Sequence, residues 1–213
     1  MKFSCRYKEI IAKMTDLDKV YSHCELLFSQ STKRNLPFHN FQHTVEVLEY
    51  SKIIAINENV SPEEFNLVSI AALYHDTGIT EAYQGHEAMS ALYAYLYLQK
   101  IGFIEADIAK VIGCIHATKM PQNPHTKLQE IICDADLSHL SAENYLLKNK
   151  LLREEWETEL GIAYSDKEWI AMNIDFLKNH TYFTSYGKDV LSKGKERNIE
   201  KLKKKSNTVD SFR

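Results

Sequence analysis

The sequence lacks the features that mark membrane-spanning, secreted and zinc-ribbon proteins. No apolar run in its 213 residues approaches the ~20 residues that cross a bilayer, and Arg6, Lys8 and Glu9 stand where a signal peptide would need an apolar stretch. The cysteines are far apart and form no C-x-x-C pair, which argues against a zinc ribbon or redox motif. We therefore expect a cytoplasmic protein with free, largely buried cysteines. They are Cys5, Cys24, Cys114 and Cys133.

An excess of charge of one sign is also absent. The net charge is -3, so no global feature indicates a nucleic-acid or membrane partner. The one strongly basic stretch, Lys201–Lys205, is either a weak phosphate-attracting surface or a solvated helix end, and we favour the helix end. The hydrophobic and charged fractions, 44% and 26%, are those of an ordinary soluble globular protein.

Glycine and proline are scarce, with seven and four residues, and strand-like alternation is rare. Helical periodicity dominates instead. Ser61-Pro62 followed by two glutamates is a typical helix start. We predict a compact all-α bundle of seven to nine helices in a single domain (1–213), with its core at about 36–184 and a basic helix and tail at 187–213. The predicted helices cover about 7–29, 40–57, 62–76, 85–101, 104–117, 126–140, 142–160, 166–180 and 187–205.

Polar residues interrupt this pattern at the ends of apolar helices. His75-Asp76 follows the apolar run 70–74, and Asp134 and Asp136 follow Ile131-Ile132. His39 and His43 are four residues apart, so they share a helix face. Each of these elements alone is more simply a capping or hydrogen-bonded residue. Together, imidazoles and carboxylates on different helices predict a mixed nitrogen and oxygen site for a divalent metal.

The ordered series resembles the HD superfamily of metal-dependent phosphohydrolases, whose pattern is H…HD…D on an all-α scaffold. The residues that carry the resemblance are His43, His75-Asp76 and Asp136. It extends through HNxxH, ALYHDTG, HEAMSA, IHATKMPQNP and ICDADLSHL, over roughly residues 36–184, and is similar to an uncharacterised bacterial branch. The resemblance implies an HD-domain or phosphodiesterase-like bundle that hydrolyses a phosphate mono- or diester, with a nucleotide as the expected small-molecule partner. It also implies a divalent ion: Mn, Ni, Co, Mg, Zn or Fe.

Carried over onto this chain, the resemblance makes His43, His75, Asp76 and Asp136 the metal ligands. Asp134 is the alternative for the last position. Residues two apart do not share a helix face, so we expect only one of the two aspartates to coordinate. In the HD superfamily the ligand aspartate is commonly followed by a short run that resembles Asp136-Leu137, which favours Asp136 as the ligand. Asp134 would then hold a ligand imidazole or cap the helix.

The same resemblance implies catalytic roles. Asp76 would both bind the ion and accept a proton from water. His39 or His86 would protonate the leaving alkoxide, since the HNxxH segment is similar to the motif of cyclic-nucleotide phosphodiesterases. Lys119 and Arg153 are the candidate cations for the nonbridging phosphate oxygens.

His86 and His116 are the candidates for a second metal ion or for phosphate contacts, or they are polar helix-end residues. The loop Met120–Pro124 is expected to form a rim over the site, and His180 and Tyr182 are weaker candidates for the pocket. Two groups are expected to be structural: aromatic core residues and histidines that are satisfied in the core or at the surface. The aromatic residues are Trp156, Trp169 and Phe176, and the histidines are His23, His125 and His139.

Two other functions stay open. A di-iron HD oxygenase would need both His86 and His116 as ligands. A non-catalytic metal- or nucleotide-binding regulatory domain is disfavoured because no ligand of the pattern is lost. Phe38 stands where phosphodiesterases typically have tyrosine, and the HHExxDGxGYP motif of the cyclic-dinucleotide branch is absent. We therefore do not transfer either of those substrates.

Overall fold

The computed structural model describes residues 15–31 and 36–211, with side chains up to residue 207. These residues form nine α-helices and no strand, which confirms the all-α prediction. Residues 7–14 of the predicted first helix, Cys5 and the last two residues of the tail lie outside the described residues. The helices are α1 (Asp16–Gln30), α2 (Phe41–Asn57), α3 (Pro62–Tyr74), α4 (His86–Lys100), α5 (Glu105–Ala117), α6 (Lys127–Asp136), α7 (Tyr145–Glu159), α8 (Asp166–Asn179) and α9 (Ser192–Ser211).

Two predicted helices end earlier than expected. The chain tightens into 3-10 turns at Thr77–Thr80 and Leu137–Ser141 directly after the polar residues of α3 and α6. The Thr77 hydroxyl donates to the Tyr74 carbonyl at 2.9 Å, which satisfies a carbonyl that the helix leaves free. The predicted ends at 76 and 140 were therefore wrong, because polar side chains and the tight turns replace the last helical turn.

Helix starts follow the sequence signals closely. Ser61 accepts a hydrogen bond from the Glu64 amide while the Glu64 side chain binds back to the Ser61 amide, which completes a capping box. Asn40 caps α2 by accepting from the His43 amide at 3.1 Å. His43 consequently lies in the first turn of α2.

The centre of the core is α3, which packs against α1, α2, α5 and α6. Every residue from Leu67 to Tyr74 is buried, as expected for a helix that is apolar on all sides. A second apolar cluster joins α8 and α9 to the turn Leu137–Ser141. The described cysteines, Cys24, Cys114 and Cys133, are free and buried, as predicted.

No helix among the described residues has both the length and the apolar character needed to span a membrane.

Gly78 lets the turn Thr77–Thr80 approach the start of α4. A Cβ atom at this position would lie 2.2 Å from the His86 carbonyl oxygen and 2.6 Å from the Ser90 amide nitrogen. The Gly78 amide donates to the Ser90 hydroxyl at 2.8 Å. The absence of a side chain therefore brings His86 beside the residues that follow α3.

We expect Gly78→Ala to lower the free energy of unfolding by about 1–3 kcal/mol, because the added methyl meets backbone atoms of α4 that cannot turn aside. Urea denaturation measures the change. Gly113→Ala in α5 is the matched control: its Cβ would meet only the end of the Gln129 side chain, at 3.1 Å, and alanine is the better helix former. Equal stability of the two variants would contradict the requirement for a close approach.

Candidate metal centre

Three helices bring the predicted ligands together. His43 projects from the first turn of α2, His75-Asp76 follows α3, and Asp136 ends α6. The His43 Nε2 lies 3.3 Å from Asp136 Oδ1, and the His75 Nε2 lies 3.1 Å from Asp76 Oδ2. One ligand atom each from His43, His75 and Asp136 lies within 4.8 Å of the other two. This His/His/Asp group could hold a metal ion.

Unpaired polar atoms point to the same ion. Both ring nitrogens of His43, the Nε2 of His75 and the Oδ2 of Asp76 are buried and have no hydrogen-bond partner among the described residues. Buried polar atoms are rarely left unpaired in folded proteins. A divalent cation would satisfy the facing nitrogen and oxygen atoms together, so the residues present fit such an ion.

Neighbouring groups fix two of the ligands. The His75 Nδ1 lies 2.8 Å from the Ala72 carbonyl, so it carries the proton and leaves Nε2 free to bind. Gln122, in the predicted rim loop, donates to Asp136 Oδ2 at 3.4 Å and to the Cys133 carbonyl at 3.3 Å. The rim loop therefore contacts a candidate ligand directly.

The charges of the group favour a cation at its centre. Burial alone would raise the pKa of Asp76, but the adjacent imidazole of His75, with a hydrogen bond from His86, holds it well below its ordinary value. Burial opposes a low pKa at Asp136 in the same way, and the facing imidazoles of His43 and His75, whose Nε2 atoms lie 3.3 and 3.6 Å from Oδ1, outweigh it. Both carboxylates are therefore ionised and need positive charge nearby.

His86 lies against one of these carboxylates. Its Nε2 is 3.1 Å from Asp76 Oδ1, and its Nδ1 lies 2.9 Å from the Tyr83 carbonyl. Burial lowers the pKa of His86, but the hydrogen bond and charge of Asp76 raise it to about 9. His86 is thus a protonated partner of Asp76 at neutral pH.

His39 is held by a buried glutamate, Glu155 of α7. The His39 Nδ1 bonds to Glu155 Oε1, the Phe38 and His39 amides both donate to Oε2 at 2.9 Å, and the Tyr83 hydroxyl donates to Oε1 at 2.9 Å. Burial lowers the pKa of His39, but the bond to Glu155 and the charge of Asp76 raise it above its ordinary value. The Glu155 side chain has 0% exposure.

Sequence reasoning missed Glu155, although a signal for it existed. It lies four residues after Leu151 and three after Leu152, so it falls on the apolar face of a predicted helix. An acid in such a position usually has a specific partner.

A cavity of about 500 Å³ opens at the metal centre, lined by His39, Asp76, His86 and Asp136 among others. Lys119 lies at its wall and is exposed. His139, for which we expected no site role, also lines it, and burial and the His43 charge lower its pKa to about 3. The cavity is large enough for a small organic ligand.

Other predicted site residues lie elsewhere. His116 is exposed and is not part of the cavity wall. Arg153 pairs with Asp166 and Glu157 and donates to the Tyr164 carbonyl, also away from this cavity. We therefore leave both residues out of the site that we propose.

The weaker pocket candidates and two histidines also have partners away from the cavity. Tyr182 donates to the Leu137 carbonyl at 3.2 Å, and the His180 ring lies beside Lys195. The His23 ring bonds to the Tyr74 hydroxyl at 2.8 Å, and the exposed His125 contacts Asn123.

Lys148 was missed by the sequence analysis and lines the cavity. Its ammonium group pairs with Glu46 and lies 5.9 Å above the Phe38 ring. The Phe38 ring in turn lies 5.0 Å from the His43 ring. Lys148 is thus a half-buried cation on the metal side of the cavity.

Asp134 has a different role from the one expected. It accepts hydrogen bonds from the Phe183 amide at 2.9 Å and from the Thr184 amide and hydroxyl at 2.9 and 2.6 Å. It neither caps α6 nor binds a ligand imidazole. The two aspartates leave the helix in different directions, and Asp134 ties the chain before α9 to α6.

Substitution of the two aspartates should therefore affect different properties: metal binding for Asp136 and stability for Asp134. We expect Asp136→Asn to weaken Mn²⁺ binding at least about tenfold, because a charged ligand is lost. We expect Asp134→Ala to lower the free energy of unfolding by about 2–4 kcal/mol, because three donors lose their acceptor. Isothermal titration with Mn²⁺ and urea denaturation measure the two effects. If folded Asp134→Ala lost the metal while Asp136→Asn kept it, Asp134 would be the metal ligand and Asp136 the structural residue.

Comparisons with known proteins concern the family and the fold of the chain. Residues 40–141 match the family model of the HD domain. The chain is also similar to the crystal structure of a predicted HD superfamily hydrolase from an uncultured Thermotogales bacterium, with 20% identity and a TM-score of 0.57, covering 97% of this chain and 98% of that one. It is similar to Bacillus subtilis YpgQ in complex with ADP, with 15% identity and a TM-score of 0.65, over 91% and 98% of the two chains. A search of curated proteins found no match.

Proposed function

We propose that this chain, which the match over residues 40–141 places in the HD-domain superfamily, is a divalent-metal-dependent phosphohydrolase. The proposed substrate is a phosphate mono- or diester, and specifically a nucleotide. The observation that carries the proposal is the group of buried, unpaired nitrogen and oxygen atoms of His43, His75 and Asp76, the last of which lines a ligand-sized cavity. The nucleotide part is supported by a protein of similar fold whose structure is in complex with ADP.

His43, His75, Asp76 and Asp136 would hold the ion. Bound there, it supplies Lewis acidity that polarises a phosphoryl oxygen and acidifies water. Asp76 keeps its second oxygen against the protonated His86 at 3.1 Å. This pair fixes the carboxylate and holds a proton beside the reacting phosphate.

His39 is the proposed general acid. Its Nδ1 is taken by Glu155, so its other ring nitrogen is left for the leaving oxygen of the substrate, in a cavity that His39 lines. Glu155 orients the ring and favours its charged form, as a carboxylate partner of a catalytic histidine does.

Lys148 is the proposed cation for the nonbridging phosphate oxygens. It lines the cavity on the metal side, and its pairing with Glu46 holds the long side chain in place. A fixed ammonium group near a phosphate stabilises the charge of the transition state.

Two alternatives are less well supported. The di-iron oxygenase needs His116, which is exposed outside the cavity wall. The regulatory domain would bind the ion and a nucleotide without turnover, and the orientation of His39 by Glu155 argues against it, because binding alone needs no oriented proton donor.

We expect the metal-stripped protein to regain hydrolysis of nucleotides or generic phosphodiesters on addition of Mn²⁺, Co²⁺, Ni²⁺, Mg²⁺, Zn²⁺ or Fe²⁺. We expect Asp76→Ala to lose bound metal and activity together, because it removes a ligand. Elemental analysis and a phosphate-release assay measure the two. Full metal occupancy in Asp76→Ala would refute its role as a ligand, and bound metal with no turnover of any ester would favour the regulatory domain.

We expect Glu155→Gln to lower kcat about 10- to 100-fold for esters with an alkoxide leaving group, since a general acid contributes 10²–10⁴-fold. p-Nitrophenyl esters should be affected much less, because their leaving group needs no proton. Metal content should stay unchanged.

Glu154→Gln is the matched control for this variant. Glu154 is the neighbouring, exposed residue of α7, and it forms an ion pair with Lys150. If Glu155→Gln lowered kcat equally for alkoxide and p-nitrophenyl esters, the result would count against proton donation by His39.

A further inference from the structure

The cavity is lined by residues of α7 and α8 as well as by residues of the metal centre. We call the part of the wall formed by eight of the α7 and α8 residues the aromatic chamber; they are Tyr145, Asn149, Leu152, Trp156, Trp169, Met172, Asn173 and Phe176. Helices α7 and α8 meet here through long side chains: the Trp156 and Trp169 rings pack edge to face at 5.5 Å. All eight residues follow residue 141, where the match to the HD domain ends. The family match therefore assigns them no role.

Two buried amides lie in the wall of the aromatic chamber, and a network fixes them. Asn149 accepts from the Trp169 indole at 2.8 Å and donates to Asn173 Oδ1 at 2.5 Å. Asn173 donates to the Trp169 carbonyl at 2.8 Å. The Tyr145 hydroxyl bonds to both amides at 3.3 Å. The two side chains are thus held in one orientation.

This network leaves hydrogen-bonding capacity unused. An amide nitrogen has two protons and an amide oxygen has two lone pairs. Asn173 Nδ2 uses one proton, on the Trp169 carbonyl, and Asn149 Oδ1 uses one lone pair, on the Trp169 indole, in the hydrogen bonds recorded for the described residues. One donor and one acceptor remain at an otherwise apolar wall.

Charged side chains of the cavity lie outside the aromatic chamber as we define it. The histidines, the aspartates and Lys148 belong to the metal side, Glu87 lies 3.9 Å from the His86 ring, and Lys119 is exposed. A phosphate therefore has its partners on the metal side, while the aromatic chamber suits an uncharged group.

We propose that the aromatic chamber is the subsite for the planar ring of the substrate, a nucleobase, whose polar edge meets Asn149 and Asn173 while its phosphate lies at the metal centre. Flat indole and phenyl faces are what a base stacks on. An alkyl group would fit the apolar walls but would bury the free amide proton and lone pair without partners. The inference rests on the proposed function, since it assigns the organic part of the same substrate.

The first test is binding without catalysis. Trp156 and Trp169 are the only two tryptophans of the chain, so tryptophan emission, excited at the red edge where tyrosine does not absorb, reports on the aromatic chamber. We expect adenosine, guanosine, cytidine or uridine to change the emission saturably, and ribose and octanol not to. Trp156→Leu should raise the dissociation constant at least about tenfold, and Asn173→Leu should do the same through the lost edge contact.

Leu147→Ala is the control for this test. Leu147 belongs to α7 but is 56% exposed and outside the cavity wall, so its variant should bind as the unmodified protein does. Thermal melting of each variant separates a loss of binding from a loss of folding. Trp156→Leu keeps an apolar side chain, so it also serves if Asn173→Leu does not fold.

The second test is the kcat/KM for a nucleoside monophosphate divided by that for ribose 5-phosphate. We expect Trp156→Leu to lower this ratio at least about tenfold and Leu147→Ala to leave it unchanged. Saturable binding of octanol but of no nucleoside would overturn the ring subsite and leave phosphoester hydrolysis intact. Nucleoside binding that Trp156→Leu weakens, with no turnover of any ester, would support the subsite and refute the proposed activity.

Discussion

The arrangement of the site depends on two carboxylates, those of the buried Asp76 and the partly buried Asp136, that face the unpaired nitrogens of His43 and His75. Ionised groups out of water are costly unless positive charge lies beside them. The fold meets this requirement by ending two apolar helices, α3 and α6, at one place and by starting α2 opposite them. The tight turns Thr77–Thr80 and Leu137–Ser141 begin directly after these two aspartates. A divalent ion would supply the missing charge to all four side chains.

Two further buried carboxylates connect this centre to the rest of the chain. Glu155 accepts the amides of Phe38 and His39 across 117 and 116 residues of sequence, and Asp134 accepts those of Phe183 and Thr184 across 49 and 50. Hydrogen bonds from main-chain amides to a charged acceptor are strong and directional. They therefore fix the start of α2 against α7 and the segment before α9 against α6. The two amides bind Oε2 of Glu155, so its Oε1 remains available to orient the His39 ring.

Much of this could be predicted from the sequence, for identifiable reasons. Caps at Asn40 and Ser61 are local, and the spacing of apolar residues gives the helices, so the bundle and most of its boundaries follow from short-range rules. The ordered histidines and aspartates identify the ligand candidates. What sequence spacing could not give is the rotation of each helix. Arg153 and Lys148 lie five residues apart on α7 and point to different surroundings, so choosing the cation that faces the cavity requires the packing of α7 against the core.

Helix α7 shows how ion binding and substrate choice are divided along the chain. Its residues that line the cavity fall at 145, 148, 149, 152 and 156, and Glu155, which holds His39, lies on the same face at a spacing of three and four. That face carries, in turn, part of the amide network, the cation, the apolar wall, the glutamate that holds His39 and a stacking surface. The matched HD segment supplies the candidate ligands, whereas this one face carries the residues that we propose for the organic group and the phosphate and the glutamate that holds the proposed proton donor. Because the side chains share one rigid helix, they keep a fixed distance from one another. A change in the seating of α7 would therefore shift substrate fit and proton donation together, while the candidate ligands on α2, α3 and α6 stayed in place.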